Sequence, residues 1–223
     1  VKWDAAGDEL VWKFPNDSLS TMTQLVVHES QWAMLYKDGQ RLDTFGAGRH
    51  TLSTNNIPIL NKLVNLPFGG QSPFKAEVWF VNKAIPLDLK WGTPNPIMLR
   101  DADFGPIRLR AFGTYTLRAA DPKALLKELI GTDQSFEVDE IGELLRSIIA
   151  SAFADLIGRS KISALDLAAN YRDLSEQLRK EAITRVDDEY GLDIPSLVIV
   201  NVSFPEEVEK ALDTRTSMGV VGD

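Results

Sequence analysis

The chain has no cysteine and only two histidines in 223 residues. That excludes a disulfide framework, a thiolate metal site and a cysteine nucleophile, and it suits a reducing compartment without requiring one. A basic excess is also missing: 24 Lys and Arg stand against 32 Asp and Glu, giving a net charge of −8. A dedicated nucleic-acid binder needs a cationic face to neutralise phosphates, so no nucleic-acid partner is expected. No run approaches the roughly 18 to 20 apolar residues that cross a bilayer, and no signal-peptide pattern opens the chain. Gly-x-Ser-x-Gly, His-Glu-x-x-His, P-loop and calcium-loop patterns are all absent. The first residue is Val1 rather than methionine, so a trimmed N-terminal segment is expected. What is present is 44% hydrophobic residues, enough to bury a core in one domain or two.

The most ordered signal lies in 74–118. Over 107–118, Ile107, Leu109, Ala111, Tyr115 and Leu117 alternate with Arg108, Arg110, Thr114, Thr116 and Arg118. A period of two predicts a strand with one face on a core and one in water. Phe112 falls on the wet face, and Gly113 inside the strand signals a bulge or a close backbone approach. Upstream, 75–82 and 85–91 read as two further strands and 97–100 as a short one. The run Gly92-Thr93-Pro94-Asn95-Pro96 forces a turn between them. The stretch as a whole predicts an antiparallel meander.

Before it, 24–28 and 31–36 read as strands. Asp38-Gly39 marks a tight hairpin into 41–45, because both central residues of a type I′ turn need positive φ. The segment 57–64 is short and apolar, and 68–73 reads as a loop. After Arg118 the period lengthens. Asp121-Pro122 opens a helix over 123–130, with an Asp side chain to cap free amides and a proline that loses nothing at the first helical position. Apolar residues from Val138 to Ile157 then recur every three or four positions, predicting a helix that ends near Gly158. A capping box at Ser163 opens the longest predicted helix, to about residue 189, stopped by Gly191. Along it, Glu176 with Lys180 and Glu181 with Arg185 are spaced as i, i+4 ion pairs. A return strand over 192–204 and a helix from Pro205 follow, and 214–223 reads as a linker.

Chemistry-bearing residues are few. His28 and His50 suit strand and turn roles. Gly46-Ala47-Gly48-Arg49-His50 lacks the glycine, lysine and helix of a phosphate loop. Asp88, Asp101 and Asp103 would serve a hydrolase if a fold brought them together; the alternative is a solvated acidic turn. Arg100, Arg108, Arg110 and Arg118 suggest a basic strip for an acidic peptide or anionic headgroups, with cross-strand pairing to Glu77, Asp88 and Asp101 as the competing reading. The five tryptophans are spread along the sequence, with core packing the expected role and a membrane interface the alternative for Trp3 and Trp12.

Three passages together resemble the SPFH, or band 7, superfamily of stomatins, prohibitins and flotillins. Phe45-Gly46-Ala47-Gly48-Arg49-His50 is similar to that family's Gly-Pro-Gly-x-His turn, with Ala47 in place of proline. The long strand running into Asp121-Pro122 resembles its strand-to-helix passage. Residues 190–194 and 202–212 resemble its succession of helix, glycine, strand, proline and helix. Ser72-Pro73-Phe74-Lys75-Ala76-Glu77-Val78, Asp88-Leu89-Lys90-Trp91-Gly92-Thr93, Arg108-Leu109-Arg110-Ala111-Phe112-Gly113 and Asp166-Leu167-Ala168-Ala169-Asn170-Tyr171 are similar to the bacterial branch labelled "virion core protein".

The resemblance implies an α+β domain, with an antiparallel or mixed twisted sheet in the N-terminal half and helices with one further strand in the C-terminal half. The expected layout is a 1–22 extension with short strands, an SPFH-like domain over 23–213 (β-rich 23–118, helical with a return strand 119–213) and the 214–223 linker. It further implies a non-enzymatic scaffold that forms homo-oligomers on the cytoplasmic face of a membrane. That scaffold would meet a membrane surface or membrane-protein partner in the full-length protein, in a membrane-stress role, while this fragment is soluble. No cofactor, metal or small-molecule substrate is expected. The expected interaction surface comprises Arg108, Arg110, Arg118, Leu167, Tyr171, Leu174, Leu178, Val208 and Leu212. A membrane-seeking segment before residue 1 and a cysteine-rich zinc ribbon after residue 223 are expected of the parent protein.

Overall fold

A computed structural model of the chain describes residues 1–5, 9–53, 73–83, 88–129 and 135–221, without the side chains of 129, 135–140, 187–188 and 216–221. The strands of the first half are β1 (Glu9–Lys13), β2 (Ser18–Ser20), β3 (Gln24–Val27), β4 (Gln31–Lys37), β5 (Gln40–Phe45), β6 (Gly48–Thr51), β7 (Pro73–Lys75) and β8 (Glu77–Asn82). Then come β9 (Leu89–Gly92), β10 (Ile97–Asp101), β11 (Gly105–Tyr115), β12 (Arg118–Ala119), α1 (Pro122–Leu129) and β13 (Ser135–Glu137). The chain continues through α2 (Val138–Arg159), α3 (Ala164–Ala169), α4 (Tyr171–Tyr190), β14 (Leu192–Asp193), β15 (Leu197–Ser203) and α5 (Glu206–Val221). Sheets dominate the first half and helices the second, an α+β fold.

Two compact units share the chain. Unit 1 takes Val1–Leu87, Arg118–Ile141 and Glu189–Leu192; unit 2 takes Asp88–Leu117, Gly142–Asp188 and Asp193–Asp223. Unit 1 is built on an antiparallel sheet in the order β13-β1-β8-β4-β5. The Asp-Gly hairpin forms as the sequence predicts, with φ of +50° at Asp38 and +75° at Gly39 joining β4 to β5. Strand β1 lies inside this sheet, between β13 and β8. Two of the five tryptophans meet in space: Trp3 stacks on Trp12 with ring centroids 5.8 Å apart, and both approach Phe80. Trp3 is buried in a core with Leu25, Leu35, Phe74 and Phe80, so it is not an interfacial anchor. The α1 cap is as read: Asp121 Oδ1 accepts from the amides of Lys123 and Ala124 at 3.0 and 3.3 Å.

Unit 2 carries the sheet β10-β11-β15, with β9 pairing the far end of β11. The 74–118 meander is therefore two things: β8 belongs to the sheet of unit 1, and only β9, β10 and β11 belong together. Gly113 sits at a bulge in the β11–β15 register. A Cβ there would lie 1.8 Å from the Val198 carbonyl oxygen and 2.8 Å from Trp91 Nε1. The Trp91 indole uses that space, donating to the Val198 carbonyl at 3.3 Å. The bulge also turns the alternation of β15: Leu197, Ile199 and Val202 are buried, while Val198 and Val200 face outward. A plain period of two would put Val198, Val200 and Val202 on one side.

The longest predicted helix is in fact two. Ser163 caps α3 by accepting the Asp166 amide at 3.1 Å, but Asn170 leaves helical geometry at φ −130°, ψ +51° before α4 begins. Asparagine competes for local backbone bonds and favours such breaks. The intrahelical pairs predicted for α4 are replaced: Arg179 grips Glu176 through two bonds, and Arg159–Glu181 and Arg185–Asp155 join α2 to α4. Helix α5 runs to Val221, through residues read as a linker. The segments 57–64 and 68–72, together with Gly131, lie outside the described residues.

Candidate interaction surface

Strict alternation along β11 separates two populations of side chain. Ile107, Leu109, Ala111 and Tyr115 are buried, whereas Arg108, Arg110 and Phe112 are exposed, Phe112 at 51%. Register extends the outer population across the sheet: Met98 stands opposite Arg108, Phe112 opposite Gly92, Thr114 opposite Lys90 and Val198, and Arg110 opposite Ser203. Met98, Val198 and Val200 are each about half exposed, and Arg100 and Lys90 are exposed on the same side. None of Lys90, Arg100, Arg108 and Arg110 makes an ion pair with a described carboxylate. No Asp or Glu of the four strands alternates onto this face.

The competing pairing does not form. Glu77 belongs to unit 1, where it binds Lys13 at 2.7 Å and accepts from the Trp79 indole. Asp88 is exposed. Asp101 is buried and turned toward the backbone: Oδ1 accepts from the amides of Asp103 and Phe104 at 2.8 and 3.0 Å, and Oδ2 from Ala164 at 2.8 Å. Burial alone would push this carboxyl up. The amides of Ala164, Phe104 and Asp103, with the charge of Arg215, outweigh it and hold the group below its ordinary value. Asp101 thus fastens the β10–β11 turn to the start of α3. Asp103 pairs with Arg215 at 2.8 Å, and that guanidinium also lies over the Phe104 ring. The hydrolase reading loses its basis here. A 590 Å³ cleft beside Asp101 contains no other acid and two cations, Arg100 and Lys161. Among the described residues no group of three His, Asp or Glu side chains is placed to hold a metal.

The remaining predicted surface residues divide. Arg118 is exposed on β12 of unit 1, so the four arginines do not form one strip within a unit. Leu167, Leu174, Leu178 and Leu212 are buried in unit 2 and present no surface to a neighbour. Their helical stripe is a core stripe, because the apolar side of an amphipathic helix covers its own sheet first. Tyr171 is half-buried, its hydroxyl accepting the Val202 amide at 3.0 Å, and Ser175 accepts the Ile199 amide at 2.9 Å. These hydroxyls satisfy donors on edge strand β15. Val208 is half-buried. Met98, Val198, Val200 and Lys90 are the surface residues that sequence reasoning missed; only register with β11 reveals them.

Elsewhere, polar side chains hold turns. His50 Nε2 lies 2.8 Å from the Gly46 carbonyl, its ring 5.2 Å from that of Phe45, which closes the Gly46–Gly48 turn without a phosphate. His28 bonds Asp4 at 3.0 Å. A second cleft, of 580 Å³, lies in unit 2 between the Pro94–Pro96 turn and the Glu143, Arg146, Ser147, Ser151 side of α2. Tyr115 is buried and its hydroxyl pushed up to about 12 by burial, against the opposing charge of Arg146. Among the described residues no helix is long and apolar enough to cross a membrane.

The architecture defines an α+β domain whose distinctive polar side chains serve caps, turns and strand edges. The profile of the SPFH domain-Band 7 family matches residues 11–220, and the chain belongs to that family. The narrower "virion core protein" designation finds no support in the match. The chain is also similar to the uncharacterized protein YdjI of Bacillus subtilis (strain 168), at 25% identity over 226 residues, covering all of this chain and 69% of that protein.

Proposed function

We propose that this domain is a non-enzymatic scaffold, which self-assembles at the cytoplasmic face of a membrane and gathers partner proteins there during membrane stress. The observation that carries the reading is the family assignment over 11–220, since SPFH domains are generally membrane-associated scaffolds. The way ionisable groups are used supports it. Asp101 is taken up by three backbone amides, Glu77 by Lys13 and Asp103 by Arg215, each in a structural role.

The test is to image and sediment the protein at its native length with and without vesicles. Large, regular assemblies that float with the vesicles support the scaffold. A monomer at high concentration in both conditions overturns it.

A further inference from the structure

The outer face of the unit 2 sheet is anomalous for this chain. A polypeptide with 32 acids and 24 bases places Lys90, Arg100, Arg108 and Arg110 on one sheet surface to which none of the four strands contributes a described carboxylate, exposed Asp88 lying just before β9. Between these cations stand Met98, Phe112, Val198 and Val200, each 45–51% exposed. Contiguous exposed apolar side chains rimmed by charge mark an interaction site more often than a plain solvated face. The local rule of an antiparallel sheet, apolar in and polar out, is broken at four positions on neighbouring strands.

We propose that this face receives an acidic amphipathic segment of a partner protein. Its apolar stripe would lie over Met98, Phe112, Val198 and Val200, and its carboxylates would meet Arg100, Arg108, Arg110 and Lys90. Charge complementarity selects the partner: guanidinium groups pair carboxylates through directed N–H bonds, and like-charge repulsion on a cationic face disfavours basic partners. Relief argues against a bilayer as the occupant. Each apolar residue is already about half covered, so none projects as a wedge. An interfacial element buries its apolar side about 5–10 Å into the lipid boundary. Phe112 faces Gly92 across the strand pair and has no cross-strand side chain on that side, leaving its ring as the natural anchor. The proposal deepens the recruiting part of the scaffold reading by naming the partner's chemistry, and its primary test, peptide binding, uses neither membrane nor assembly.

The probe is a fluorescent helical peptide of about 18 residues with a leucine stripe flanked by glutamates, compared with the same peptide carrying lysines. Anisotropy titration of the 223-residue chain is expected to show saturable binding of the glutamate peptide alone. That binding should weaken roughly tenfold as salt rises from about 0.05 to 0.5 M. R108E/R110E should weaken it at least about tenfold, R108K/R110K should retain most of it, and Phe112→Ala should weaken it about threefold or more. These positions are exposed, so an unchanged melting curve confirms that each variant folds. Equal binding of both peptides, or binding indifferent to R108E/R110E, overturns the proposal. It is also overturned if the glutamate peptide fails to bind; where R108E/R110E then abolishes flotation with phosphatidylserine vesicles or self-association in sedimentation velocity, the face is assigned to lipid or to a second copy. Failure of the peptide leaves the scaffold reading to its own vesicle and sedimentation test.

Discussion

The two main sheets of this protein use the same antiparallel pairing to opposite ends. In the sheet of unit 1, β4 and β8 are buried at almost every position, odd and even alike. Within it Lys13 pairs with Glu77, and Trp12 stacks on Trp3. In unit 2, β11 alternates buried and exposed residues over nearly its whole length, and its outer cations are unmatched by carboxylates on the face. A sheet covered on both sides is spent on stability; one covered on a single side keeps a surface for something else. The contrast teaches that the strand with the cleanest sequence pattern is the half-open one. Covering both faces erases the period that reading depends on.

The largest test of the comparison lies in the covered sheet. Phe80 is fully buried in β8 against Trp3 and Trp12. Phe80→Ala is expected to cost about 3–5 kcal/mol from lost burial and the cavity left behind. Urea denaturation followed by tryptophan fluorescence measures it, and hydrogen exchange should show the loss in β1, β4 and β8. A cost near 1 kcal/mol would mean that this sheet is not the packed slab described.

The next effect sharpens the contrast from the other side. Gly113→Ala places a methyl group 1.8 Å from the Val198 carbonyl oxygen, where the obstacle is backbone and cannot rotate away. Strands β11 and β15 must separate there and the Trp91 indole must shift with them, at a cost of about 3 kcal/mol. Loss of amide protection along the β11–β15 ladder beside the bulge, at Thr114 opposite Val198, is the expected signature.

A smaller effect concerns the turn that carries the open sheet. Asp101→Ala leaves three amides without their acceptor and should cost about 2 kcal/mol, with Asp101→Asn costing less because one oxygen remains. The pH dependence has a definite sign. The folded carboxyl sits below its ordinary 3.8, so its contribution is fully present above that value and is lost as pH falls through the lowered one. Acid unfolding curves of the wild type should show this loss near and below pH 3.8, and Asp101→Asn should not.

Local signals were legible in the sequence because their causes are local. The Asp38-Gly39 turn, the Asp121 and Ser163 caps, the β11 alternation and the Gly113 close approach each depend on a few neighbouring residues. What was not legible depends on partners far along the chain. Ala111 pairs with Val202, and Val11 with Val81, so no reading of 74–118 alone separates β8 from β9 to β11. Burial of Leu167, Leu174 and Leu178 is likewise a tertiary fact, since a core stripe and a docking stripe have the same period. The inward turn of Val202 follows from one extra residue at the bulge. Asp101 looked like a member of an acidic cluster because its three amide partners, one of them 63 residues away, have no side-chain signature.

The smallest expected effect is the most discriminating, because it sets the same residue type against itself. Phe112 is on the strand that forms the spine of its sheet, as Phe80 is on a central strand of the other, but its ring is half in water and faces a glycine across the ladder. Phe112→Ala removes little buried surface and leaves no cavity, so its cost should stay within about 0.5 kcal/mol. Measured beside Phe80→Ala in the same urea series, the pair gives the difference between a covered and an open sheet face directly. A cost for Phe112→Ala above about 2 kcal/mol, in the range of a buried aromatic, would mean that the outer face is closed in solution. The cations around it would then be structural.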